Sequence, residues 1–240
     1  MDLAWSSYAA VWLSRIPCPI PEHFFIPFST GAVRAEFDHQ AALDWEMFLS
    51  LRALELRPTG RLVVVLPALP ENTPTGFASL MNEANNALSE LVSGGLISAK
   101  ERGRMTLASC PRRERDLLVP FARDGQFCGF TVEHCSTTLA TDAAWEEYLR
   151  DKDAAALAQK RAGFFRAIFV PSLAQALESD RGPDECQAFS TELEAGLAAR
   201  LVDHPAPIEN LVGIIVLAKE DQTQPRNGRQ RLHSWLGLRG

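Results

Sequence analysis

The sequence predicts an α/β fold, on three observations. Residues 38–66, DHQAALDWEMFLSLRALELRPTGRLVVVL, pass from an amphipathic helical pattern through a four-residue turn into an unbroken apolar run. A second apolar run, LVGIIVLA at residues 211–218, is the last strand of the chain. The long segments between these runs carry helical rather than alternating periodicity. A helix, a turn and a buried strand make one half of an α/β crossover.

Taken in order, residues 1–14 (MDLAWSSYAAVWLS) are too apolar for a frayed terminus. Residues 3–7 suit a short buried strand and residues 8–14 the first turns after it. A chain that opens inside a core element implies a further segment before it. Pro17, Pro19, Pro21 and Pro27 make the next stretch an irregular loop. Leu43, Met47, Leu51 and Leu54 then recur at helical spacing and form one apolar stripe, with Asp44, Arg52 and Glu55 off it. Asp38 is the N-cap that this helix calls for. Pro58 stops it at turn position i+1 and Gly60 suits i+3. Leu62, Val63, Val64, Val65 and Leu66 read as a parallel strand covered on both faces.

Residues 77–92 are helical, with Phe77, Leu80, Ala84, Leu88 and Leu91 on one face and Gly94-Gly95 as the stop. Residues 98–115 are polar and basic and read as surface. Residues 117–124 suit a short helix or turn, and residues 127–136 (FCGFTVEHCS) one strand. Residues 142–179 are mostly helical, interrupted near Asp151 and kinked at Pro171. Residues 183–202 form another helix with Pro183 in its first turn, and residues 220–240 a polar tail.

With 240 residues, 46% hydrophobic and 22% charged, the chain has the composition of an ordinary globular protein able to bury a real core. A net charge of −6 gives no footprint for nucleic acid or an anionic membrane. No apolar stretch reaches the roughly 18 residues of a membrane span, and the start lacks a signal-peptide pattern. Cys18, Cys110, Cys128, Cys135 and Cys186 are odd in number and scattered, which predicts reduced thiols and a cytoplasmic protein. Cys128, His134 and Cys135 lack metal-ligand spacing, and neighbouring strand residues point to opposite faces. Asp44 and Glu46 cannot face each other on a helix and read as solvated or ion-paired. Arg112, Arg113 and Arg115 read as a charged face beside Glu114 and Asp116. There is no internal repeat.

Four blocks resemble the plant-type SAM-dependent carboxyl methyltransferases, the salicylate and jasmonate methyltransferase (SABATH) family. Residues 2–17 are similar to the family's strand 4 and its S-S-Y-S-x-x-W-L-S-x-x-P motif, and residues 40–65 to its F-L-x-x-R-A-x-E-L-x-x-G-G-R helix and strand 5. Residues 88–97 are similar to L-x-E-M-V-x-E-G-L-I and residues 165–171 to M-R-A-V-x-E-P. The D-x-G-x-x-x-G-type loop that precedes these blocks in the family has no counterpart. The resemblance therefore implies a partial Rossmann-like methyltransferase sheet, strands 4–7 with the last strand antiparallel, and helical acceptor-side insertions. It divides the chain into a domain at 1–219, with caps at about 77–115 and 142–202, and the tail at 220–240.

By the same resemblance the cofactor is S-adenosyl-L-methionine, bordered by Ser6, Ser7 and Tyr8, and bound weakly or not at all by the isolated chain. The acceptor is the carboxylate of a small-molecule acid, held by Tyr8, Trp12, Leu80, Met81, Phe165 and Ile168. Val11 stands where relatives carry His or Met. Trp12 would offer its indole N–H, a neutral donor, to one carboxylate oxygen; without the motif it would read as a core aromatic. A carboxylate with a reference pKa near ~4 is already ionised at neutral pH. The chemistry is then mostly positioning, with no catalytic acid or base to find. No nucleic-acid or membrane partner is implied; an exposed strand-4 edge implies a homodimer or a pairing partner. The alternative is a non-catalytic binding or interaction module without the cofactor site.

Overall fold

The structure is a computed structural model that describes residues 1–70 and 75–221. Its centre is a five-stranded mixed sheet of β1 (Leu3–Ser7), β2 (Arg61–Pro67), β3 (Gln126–Phe127), β4 (Phe130–Leu139) and β5 (Leu211–Lys219), in the order β1-β2-β5-β4-β3. β1 and β2 are parallel, with Trp5 opposite Val63. β5 runs antiparallel to both neighbours, as expected of the last strand.

The connection between β1 and β2 is α1 (Gly31–Glu55). It begins a full two turns before Asp38, which pairs with Arg34 instead of capping the helix. The stripe expected to face the core faces away from it. Leu43, Met47, Leu51 and Leu54 are all exposed, Leu54 at 84%, while Phe37, Ala41, Trp45, Leu49 and Ala53 are buried. Two apolar faces coexist on this helix, so periodicity could not say which one the sheet would cover. The wider side chain settled it: Trp45 lies against the sheet's core and donates its indole N–H to the Leu117 carbonyl at 3.1 Å. Burying such an aromatic removes a large apolar area from water, worth roughly 25 cal/mol per Å².

The turn into β2 follows expectation: Gly60 N–H bonds the Arg57 carbonyl at 3.0 Å across Pro58 and Thr59. A side chain on Gly60 would meet Leu56 Cδ2 at 2.8 Å and Arg57 O at 3.0 Å. β2 itself is covered on one face only. Leu62, Val64 and Leu66 are buried against α1, whereas Val63 and Val65 share a half-open face with Ile214, Val216 and the exposed Leu3 and Trp5. β1 is accordingly an open edge in which Ala4 alone is buried, not the buried strand expected. Residues 8–14 form a loop rather than helical turns.

Residues 127–136 are a hairpin rather than one strand. Cys128 and Gly129 both take positive φ (51° and 76°), the pattern of a two-residue hairpin turn between β3 and β4. Among the thiols, burial pushes Cys110 and Cys135 up to about 11. Cys135 points into the core while exposed His134 beside it bonds Ser136 at 2.8 Å.

The remaining helices are α2 (Ala78–Ser93), α3 (Ala99–Arg104), α4 (Glu114–Leu118), α5 (Ala143–Asp151), α6 (Ala154–Ile168), α7 (Val170–Ala174) and α8 (Pro183–Asp203). Of these, α2, α6, α7 and α8 build a second core beside the sheet, while Leu117 of α4 joins the sheet's own core. The breaks near Asp151 and Pro171 and the start at Pro183 fall as expected. Asp142 and Asp153 cap α5 and α6. Leu80, Met81, Ala84 and Leu88 from α2 meet Phe165 from α6 and Phe189, Leu193 and Leu197 from α8. Two stretches expected outside this core enter it: Phe24 and Phe25 of the Pro-rich loop, and Ile97, Met105 and Leu107. Within residues 98–115 the first turns are largely exposed as expected, but residues 105–112 run through the interior, with Met105 and Leu107 in the helical core and Cys110 against Leu13, Phe37 and Ala41. The buried acid of this stretch, Glu101, is matched by Arg181 at 2.6 Å and by the N–H groups of Ser98 and Glu178. Of the polar tail, residues 222–240 lie outside the described residues.

Candidate functional site

The loop after β1 and the last residue of β2 open onto a cavity of about 490 Å³. Open α/β sheets place ligands at the carboxyl ends of their parallel strands. One wall is the loop after β1, with Tyr8, Val11 and Trp12; a second is β2's end, Pro67 and Ala68; the roof is Phe77 and Met81 of α2's start with Phe164, Ala167 and Ile168 of α6.

The loop is held by the strap at residues 106–113. Trp12 forms a β-bridge with Ser109, Cys110 N–H bonds the Val11 carbonyl at 2.9 Å, and Leu13 N–H bonds the Ala108 carbonyl at 2.7 Å. Tyr8 turns the chain out of β1 with φ of 58°, a conformation that costs an L-residue about 1–2 kcal/mol. Its N–H bond to Val65 O at 2.8 Å helps to hold it there. At the far end, Asp44 of α1 accepts from Ser14 N–H at 2.9 Å and from the Ser14 hydroxyl at 2.7 Å. Asp44 is therefore a loop anchor rather than a solvated or ion-paired acid.

Tyr8 and Trp12 stay accessible, at 42% and 36% exposure, so Trp12 is no core aromatic. Met81 and Ile168 also line the cavity, which brings four of the predicted acceptor residues together. Leu80 and Phe165 are not among its lining residues. Both are buried in the helical core, Phe165 edge-on to Phe24 with ring centres 5.9 Å apart. Met81, predicted beside Leu80, faces the cavity, and on α6 Phe164 does so in place of Phe165, a slip of one residue that turns a helix by 100° and that motif matching does not resolve. Ser6 and Ser7 lie at the end of β1, outside the cavity lining, Ser6 half-buried and Ser7 exposed.

Sequence reasoning missed Phe25, Thr75, Ser109, Phe169 and Asn210, all of which line the cavity. Asn210 had a readable signal. It immediately precedes β5, and an antiparallel strand starts at the end where β1 and β2 finish. Among the described residues, the lining contains no Asp, Glu, Lys, Arg or His. Its polar groups are neutral: the Trp12 N–H, the Tyr8, Ser109 and Thr75 hydroxyls and the Asn210 amide. Such a cavity suits a largely apolar molecule with one polar end, gripped by oriented neutral donors. Among the described residues there is no cluster of metal-ligating side chains, and no helix is long and apolar enough to cross a membrane.

Comparison with known proteins gives a consistent picture. A family model described as SAM dependent carboxyl methyltransferase matches residues 1–207. "Probable caffeine synthase 4" of Camellia sinensis is 28% identical over 146 residues, which are 56% of this chain and 39% of that protein. "Loganic acid O-methyltransferase" of Catharanthus roseus is 28% identical over 151 residues, 57% of this chain and 40% of that protein. The chain thus aligns with about two fifths of the length of these relatives. A solved structure of loganic acid methyltransferase with SAH superposes with a TM-score of 0.69 at 20% identity, covering 92% of this chain and 62% of that one.

Proposed function

As the chain belongs to the SAM-dependent carboxyl methyltransferase family, we propose that it forms the acceptor-binding side of an enzyme that methylates the carboxylate of a small, largely apolar acid. The observation that carries this reading is the uncharged cavity with the Trp12 indole at its wall. In it, Trp12 donates its N–H to one carboxylate oxygen, and Tyr8 borders both the carboxylate and the methyl donor. Phe77, Met81, Phe164 and Ile168 enclose the apolar body. Neutral donors and an apolar lining orient the acid without neutralising it, so its oxygen stays an anionic nucleophile. Enclosure also excludes water from the reacting oxygen. No proton needs to move, which fits a lining that holds no carboxylate, imidazole or amine among the described residues.

S-adenosyl-L-methionine, when bound, supplies an electrophilic methyl group on a sulfonium. The residues present fit one wall for it: Ser6, Ser7 and Tyr8 offer hydroxyls and main-chain groups at the open end of β1. The printed name of one relative points to loganic acid and those of others to xanthines. The apolar, neutral lining supports an acid rather than a polar heterocycle with several hydrogen-bonding edges. We assign the division at residue 219, the caps at 77–115 and 142–202, and a cytoplasmic setting to the same reading.

A second reading is favoured by one observation, the open edge and half-bare face at β1 beside the cofactor wall. On that reading the chain is a non-catalytic module that binds an acid and has no cofactor site of its own. Incubation with methyl-labelled S-adenosylmethionine and a panel of apolar monocarboxylic acids and methylxanthines separates the two. A base-labile labelled ester supports the enzyme. Acid binding by calorimetry with no transfer supports the module, and label on a xanthine nitrogen refutes the carboxylate reading.

A further inference from the structure

Arg112 belongs to the run expected to form a charged face, yet it is 3% exposed. Its guanidinium lies over the Trp45 ring, 5.8 Å from the centroid, and donates Nη2–H to the Ala41 carbonyl of α1 at 2.9 Å. Its Nη1 donates to the carbonyl of Ala10, in the middle of the Tyr8–Trp12 loop. Its own carbonyl accepts from Leu69 N–H at 3.0 Å, and it bridges Ala68 on the strand end that lines the cavity. One residue thus ties together the loop, the helix beneath it and the wall opposite. Burial pushes its pKa down, with Asp44 and Asp116 acting the other way; arginine remains a cation throughout.

We propose that Arg112 is a positioning residue for the methyl acceptor, fixing the indole of Trp12 at the cavity by bridging the Ala10 and Ala41 carbonyls. The loop has no helix or strand of its own and contains a strained Tyr8, so its shape depends on such ties. Arginine suits the task because its planar fork presents several N–H groups at fixed angles, so one side chain reaches two carbonyls on different elements. Lysine keeps the charge but is a point donor on a flexible stem. The proposal rests on the acceptor role given to Trp12 above, but its first test does not.

That test labels the full chain with 5-fluorotryptophan and follows 19F NMR, the Trp12 line being the one lost in Trp12→Phe. In Arg112→Lys the Trp12 line is expected to broaden or split, while the Trp145 line stays unchanged. A sharp, unmoved Trp12 line beside a shifted Trp45 line overturns the proposal, because Arg112 would then serve only the core. In a preparation that turns over an acid, with rates normalised to active sites, Arg112→Lys should lower kcat/KM by about 10- to 100-fold, the scale of an ångström-sized misplacement. Adding Arg112→Lys to Trp12→Phe should then cost little more, since both act through one indole; fully multiplying losses would overturn it. Should the wild-type chain methylate no acid, the functional reading fails while the NMR result still decides the role of Arg112.

Discussion

Replacing Trp12 by phenylalanine isolates the group on which the functional reading depends. Phenylalanine keeps an aromatic ring and removes the indole N–H. Among the described residues the cavity lining holds no cation, so the carboxylate would be gripped by a few neutral donors, of which Trp12 is one. A hydrogen bond to a charged group is worth about 1.5–3 kcal/mol, so acid binding or kcat/KM should fall by about 10- to 150-fold. Stability should scarcely change, because the side chain is already 36% exposed and its loop is held by main-chain bonds rather than by the ring. A loss under about 1 kcal/mol would move Tm by no more than roughly 4 °C for a chain of this size. The assays are calorimetry with an aromatic carboxylate such as salicylate, steady-state transfer where turnover is seen, and thermal melting. Full acid affinity with a much lower Tm would refute the reasoning and return Trp12 to a packing role.

Three other outcomes are expected. His23 is buried, and burial together with the Arg102 charge pushes its pKa down to about 4. The unfolded chain, near 6.5, therefore binds more protons between these values, so stability should fall as pH drops from about 6.5 towards 4, by up to about 3 kcal/mol. Urea midpoints at pH 7 and 5 measure this, and a drop that persists unchanged in His23→Gln would assign it elsewhere. Glu101 is held well below the usual carboxylate range chiefly by Arg181, so its stabilisation is present above the ordinary glutamate pKa and is lost as pH falls below it. Glu101→Gln should destabilise the fold by about 1–3 kcal/mol, since it leaves Arg181 only the looser Glu185 contact at 3.7 Å, and an unchanged denaturation curve would contradict this. Finally, the open β1 edge with exposed Leu3 and Trp5 should make the chain self-associate, which Trp5→Lys should suppress; a monodisperse monomer at high concentration by light scattering would count against it.

What the sequence determined by itself was local or patterned. The Arg57–Gly60 turn, the breaks near Asp151 and Pro171 and the start at Pro183 follow from proline and glycine chemistry over a few residues. The motif around Tyr8 and Trp12 carried part of the family resemblance and two of the residues that line the cavity. Tertiary structure decided which surfaces met. It chose between two apolar faces of α1, burying Trp45 and Leu49 and leaving Leu43, Met47, Leu51 and Leu54 in solvent. It turned only Met81 of the predicted pair Leu80 and Met81 to the cavity, and on α6 put Phe164 there with Phe165 in the core. It drew a basic stretch inward so that Arg112 could bond carbonyls 71 and 102 residues away in sequence. The physical reason is common to all three. A residue's composition and spacing state which environments it tolerates, but a buried guanidinium or a helix face is stabilised only by partners that chain topology brings to it.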